Sequence, residues 1–107
     1  MEFTRTIMII KAMTVEELFV GTLVSIEEFN SFTQPSCLKP FKAIKLLLGE
    51  LFDRKLISPL VMPSLLGIFD VGCPDDVNHH KVVSDLTIMK DFCNERLTLS
   101  RVSIRSC

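Results

Sequence analysis

Phe3-Thr4-Arg5-Thr6-Ile7-Met8-Ile9-Ile10 is the stretch on which the fold class turns. Phe3, Ile7 and Ile9 alternate with Thr4, Thr6 and Met8, and most of these residues are β-branched or aromatic. Alternation with β-branching predicts a strand. The last eleven residues carry a matching pattern. Leu97, Leu99, Val102 and Ile104 interleave with Thr98, Ser100, Ser103 and Arg105, which predicts a second strand that pairs with the first.

Between these ends the period changes from two to about 3.6 residues. Thr14 with Glu17 is a capping-box pair, and Val15, Leu18, Phe19, Leu23, Ile26 and Phe29 follow on one helical face. Gly21 weakens that segment, and Ser25 with Glu28 offers a second capping box, so residues 14–32 hold one helix or two short ones. Thr33-Gln34-Pro35-Ser36 is a loop. Pro40 fits the first turn of a helix that carries Phe41, Ile44, Leu47, Leu48, Leu51, Phe52 and Leu56 as a continuous stripe. Glu50 and Arg54 form an i, i+4 pair on it. A helix begins at Ser58 or at Pro63, and Leu65, Leu66, Ile68 and Phe69 read as buried. Gly72-Cys73-Pro74-Asp75-Asp76 is a turn and helix start. It leads into Val82 or Val83, Leu86, Met89, Phe92 or Cys93, and Leu97. The expected fold is therefore α+β: one mostly helical compact domain over residues 1–107, about four helices, with strands near both termini.

The chain has 107 residues, of which 48% are hydrophobic and 23% charged. That suits a globular domain able to bury a core without a metal or disulfide. Arg5 precedes Ile7-Met8-Ile9-Ile10, but Lys11 breaks the run well short of a signal-peptide core. Leu56 to Phe69 is free of charge but holds Pro59, Pro63 and Gly67 and is too short to span a bilayer. Cys37, Cys73, Cys93 and Cys107 are widely spaced without a CxxC pair and read as free thiols. The expected setting is cytoplasmic, away from membranes.

The net charge of −1 conceals blocks. Residues 12–38 contain Glu16, Glu17, Glu27 and Glu28 and no Lys or Arg, a net of −4. Residues 39–55 set Lys39, Lys42, Lys45, Arg54 and Lys55 against Glu50 and Asp53, a net of +3. Residues 70–95 set Asp70, Asp75, Asp76, Asp85, Asp91 and Glu95 against Lys81 and Lys90, a net of −4. Residues 96–107 are basic through Arg96, Arg101 and Arg105. Such blocks ordinarily neutralise one another or are simply solvated. Where they share a face, they steer a complementary partner. A basic excess is absent, so nucleic acid is not an expected partner.

No motif names a reaction. Cys73, Asp75, Asp76, His79 and His80 are zinc-ligand types, but their spacing matches no zinc site, and helix-capping aspartates with surface histidines account for them. Cys93 with His79 or His80 could form a nucleophile–base pair, yet Cys93 lies on an apolar stripe. Gly49, Gly67 and Gly72 make no phosphate loop. Lys39, Lys42 and Lys45 beside Phe41 read as a solubilising face. No enzymatic activity, cofactor or metal is expected.

Two segments resemble known families. Gly49-Glu50-Leu51-Phe52-Asp53-Arg54-Lys55-Leu56-Ile57-Ser58, followed by Val61-Met62-Pro63-Ser64-Leu65-Leu66, resembles a helix pair from the middle domain of eukaryotic translation-initiation scaffolds. That resemblance covers under a fifth of the chain and implies a helical scaffold fragment that contacts translation factors. Pro59 and Pro63 depart from it, and no second helical repeat follows. The layout of residues 40–104 is similar to small bacterial immunity proteins: an amphipathic helix ending in Leu56-Ile57, a Pro-broken stretch, an Asp-rich helix start and a strand-like tail. It implies a non-enzymatic antitoxin-type inhibitor that neutralises a toxin or nuclease domain through an acidic surface. The expected partner-binding residues are Glu16, Glu17, Glu27, Glu28, Asp75 and Asp76.

Overall fold

The computed structural model describes residues 2–31, 38–57 and 79–105. Every element among them is helical: α1 (Glu2–Lys11), α2 (Val15–Ser31), α3 (Leu38–Asp53) and α4 (His79–Arg105). The expected α+β class is therefore corrected to all-α over the described residues. The readings of the Pro-containing stretch after Ile57, of the Asp75-Asp76 turn and of Cys37, Cys73 and Cys107 fall outside them.

Both expected strands are helix. In α1 the alternation of Ile7 and Ile9 is misleading, because the spacing that counts is Ile7 to Ile10. Ile10 is buried and Ile7 half-buried, while Met8 and Ile9 are 67% and 57% exposed. The handicap of β-branched residues in a helix is only a few tenths of a kcal/mol each, and tertiary contacts override it. At the other end, Val82, Leu86, Met89, Cys93 and Leu97 form an unbroken buried stripe. Leu97 is thus the last member of a helical series, and Leu99 is 52% exposed. Once a helix is running, each further residue adds a backbone bond at little entropic cost, so α4 continues through the alternating tail. The Thr98 hydroxyl donates to the Asn94 carbonyl (2.8 Å), one turn back.

The capping box is present in full. The Thr14 backbone N–H donates to Glu17 Oε1 (2.7 Å), and the Glu17 N–H donates to Thr14 Oγ1 (3.1 Å). From there α2 runs as one helix through Gly21 and Ser25, and the second capping box at Ser25 does not form. Packing explains the continuity. α2 lies against both α3 and α4, and Leu18, Phe19, Thr22, Ile26 and Phe29 are buried between them. Phe29 meets Phe41 of α3 with ring centroids 5.6 Å apart, and Phe19 meets Phe92 of α4 edge-on at 6.1 Å. Buried Thr22 satisfies its hydroxyl on the Leu18 carbonyl (2.7 Å). Val15, expected on the inner face, is 43% exposed.

The α3 stripe is as expected: Phe41, Ile44, Leu47, Leu48 and Leu51 are buried. The helix closes with a Schellman turn. The Leu56 N–H donates to the Leu51 carbonyl (2.9 Å) and the Lys55 N–H to the Phe52 carbonyl (3.0 Å). Lys55 takes φ 58° there, a left-handed conformation that costs an L residue roughly 1–2 kcal/mol and that glycine adopts freely.

Arg54 ties α1 to α3. Its Nε donates to Glu50 Oε2 (2.7 Å), Nη1 to the Met13 carbonyl (2.8 Å), and Nη2 to the Lys11 and Ile10 carbonyls (3.0 and 3.3 Å). The expected Glu50–Arg54 pair is thus one arm of a larger clamp, to which Lys11 Nζ adds a contact with Glu50 at 3.7 Å. The Glu50 side chain is only 11% exposed. The Arg54 hydrogen bond holds its carboxyl below the ordinary value of 4.5, against an opposing push from burial and with further help from Lys11. A depressed carboxylate contributes stability above its unfolded pKa and loses it as pH falls through the folded value.

Arg54→Ala removes the guanidinium from the Lys11 and Met13 carbonyls and from the largely buried Glu50 carboxylate, leaving the Ile10 carbonyl its Met13 N–H, and is expected to cost about 3 kcal/mol in urea denaturation. Arg54→Lys keeps the charge, loses the fork and is expected to recover less than half of that. The acid-side loss of stability below about pH 4.5 should be shallower in Arg54→Ala than in the wild type. A β-carbon at Gly49 meets nothing within 4 Å, and one at Gly21 meets Leu47 and Met13 at an ordinary 3.6 Å. Gly49→Ala and Gly21→Ala are each expected to stabilise by about 0.8 kcal/mol through helix propensity alone. A lower urea midpoint for Gly49→Ala would contradict this.

Candidate partner-binding face

Three turns of α-helix span eleven residues to within about 20°. Because α2 is a single helix, Glu16 lies almost directly above Glu27, and Glu17 above Glu28, about 16 Å along the axis. All four glutamates are exposed. Between the two acidic ends, Val20 and Val24 are 40% and 49% exposed, one turn apart on the same side. The solvent face of α2 is thus a short apolar strip with two carboxylates at each end.

Of this face, Glu16 shares a cleft with Lys55 and Arg96. Among the described residues the ion pairs join Glu50 to Lys11 and Arg54, and the four α2 glutamates are in none of them. Glu17 has a second duty. Its carboxyl is held below the ordinary range by the Thr14 backbone N–H, with the Thr14 hydroxyl adding to the effect, so it caps the helix as well as charging it.

The remaining site candidates separate as follows. Asp75 and Asp76 lie outside the described residues, as does Cys73, and His79 and His80 are placed only as the first residues of α4. Among the described residues no three His, Cys, Asp or Glu side chains converge as a metal site would need. Phe41 is buried against Phe29, with Lys45 Nζ 5.0 Å from its ring centre. It is therefore committed to the core and offers no stacking surface. Cys93 is fully buried, and burial pushes its thiol up to about 12, where the nucleophilic thiolate is negligible at neutral pH. No helix among the described residues is long and apolar enough to cross a membrane.

Val20 and Val24 were not among the residues singled out from sequence. Their signal is legible on a helical wheel, where both fall off the buried stripe and onto the glutamate side. The apolar pattern alone hides it, since a valine inside a helix reads first as core.

Searches against protein-family models, curated proteins and solved structures find no match for this chain.

Cys93 is expected to resist alkylation in the native protein at pH 8 and to react once urea unfolds the chain, as peptide mapping by mass spectrometry would show. Because its folded pKa is raised, the stability it contributes is complete below about pH 9 and declines as pH climbs toward 12. Cys93→Ala should therefore flatten the alkaline limb of the stability profile. Rapid native labelling of Cys93 would contradict its placement.

Proposed function

We propose that this chain is a non-enzymatic protein-binding module that engages a basic partner through the solvent face of α2, with a toxin-neutralising immunity protein as the sharpest form of that reading. The observation that carries it is the placement of Glu16, Glu17, Glu27 and Glu28 on one arc around exposed Val20 and Val24. An apolar centre with a charged rim is the usual anatomy of a protein interface, and unpaired rim carboxylates accelerate encounter with a cationic surface. The strand-like tail that contributed to the resemblance to immunity proteins is helical, so this reading rests on the α2 face alone. Asp75 and Asp76 remain proposed members of the acidic surface on sequence grounds.

The helical scaffold reading gains support from a different observation: the described residues contain helices and no strand. One experiment separates the two. The wild-type chain and the triple variant Glu16→Lys, Glu27→Lys, Glu28→Lys serve as baits in affinity capture from the native host. Glu17 is left intact to preserve the capping box. The immunity reading expects a toxin or nuclease domain with a basic surface whose association slows at least about tenfold in the variant and weakens with salt. Co-expression of the wild-type chain should relieve that partner's toxicity. A partner held equally by both baits at all salt concentrations would sink the acidic-face assignment. Capture of translation factors, insensitive to the triple reversal, would favour the scaffold.

A further inference from the structure

A cleft of about 510 Å³ opens between the start of α2, the turn that closes α3, and the last turns of α4. Its size falls within the roughly 300–1,000 Å³ of small-molecule sites. Phe19, Leu56 and Leu97 supply an apolar wall, and the exposed side chains of Val15 and Leu99 extend it toward solvent. Lys55 and Arg96 line the same cleft, opposed by one carboxylate, Glu16. Neither cation is in an ion pair among the described residues. The Arg96 guanidinium lies 5.3 Å from the centre of the Phe92 ring, which orients its planar fork.

The backbone adds a second, independent observation. Lys55 occupies the left-handed position of the Schellman turn, at φ 58°. Glycine is the residue this position favours. Here a lysine occupies it, at a cost in backbone strain, and the same residue lines the cleft. Such strain concentrates where a side chain serves a ligand.

We infer that this cleft binds a monoanionic amphiphile, its carboxylate held by Lys55 and Arg96 and its apolar tail laid along Phe19, Leu56 and Leu97. A carboxylate matches the guanidinium fork, and the net positive lining selects it over a neutral molecule of the same shape. The inference overlaps the α2 docking face at Glu16 alone; the two exposed valines, Glu17, Glu27 and Glu28 take no part in it.

The test uses the full chain with decanoate as the probe and decanol as its uncharged counterpart, followed by calorimetry and by amide chemical shifts. One decanoate is expected to bind per chain, with shifts centred on Phe19, Leu56 and Leu97. Decanol should bind about tenfold more weakly or worse. Arg96→Gln should lower decanoate affinity by a similar factor. Lys55→Gly is the decisive variant, because it should raise the melting temperature by relieving the left-handed lysine while also weakening decanoate. A purely structural lysine would give the first effect without the second, and that result overturns the proposal. So does decanol binding as tightly as decanoate, shifts centred away from the cleft, or no saturable binding of decanoate to the wild type.

Discussion

A guanidinium carries its donors in a rigid plane, and at the end of α3 that plane meets the end of α1. Arg54 reaches the carbonyls of Ile10, Lys11 and Met13 while Glu50 holds its Nε. The last carbonyls of a helix have no partner within it, and here a side chain from a distant helix supplies one. The consequence is large for α1, a helix of ten residues whose one buried core side chain among those described is Ile10. A helix that short is marginal by itself in water. Charge-assisted hydrogen bonds from Arg54, together with the burial of Ile10, join α1 to α3.

That clamp also fixes where α2 begins. Met13 and Thr14 follow directly on the clamped carbonyls, and Thr14 opens α2 through its reciprocal bonds with Glu17. α2 then serves as a shared wall, with one flank on α3 through Phe29 and Phe41 and another on α4 through Phe19 and Phe92. A helix buried on two flanks has one side left for water. On that side lie the four glutamates and the two exposed valines. The acidic face is therefore a by-product of how the apolar flanks are used, and its straightness depends on α2 surviving Gly21 and Ser25 without a break.

The interior helices were legible because their information is local. Thr14 and Glu17, the Phe41–Leu51 stripe, the Val82–Leu97 stripe and the Glu50–Arg54 pair all lie within a few residues of one another, and all four are present. The ends misled for a physical reason. Ile7 and Ile9 alternate as in a strand, but Ile7 and Ile10 are also three apart, and a short apolar run satisfies both periods at once. The decision fell to contacts the run itself does not contain: Arg54, forty-three residues after Lys11, and the upstream stripe that carries α4 through Leu97. The acidic face was half legible. Its glutamates could be named, but their sharing of one arc required knowing that α2 is continuous, and the exposed valines were masked by their resemblance to core.

Hydrophobic periodicity, a capping box and charge spacing act between near neighbours, so the order of residues alone specified the α3 and α4 stripes, the start and most of the buried face of α2, and the concentration of acid in α2. Contacts between residues far apart in the chain settled the rest: helix at both ends, the Arg54 clamp, and the cleft that Lys55 and Arg96 both line. Local preference at those places is nearly balanced between two backbone states, and a balance of a few tenths of a kcal/mol per residue is tipped by whatever packs against it.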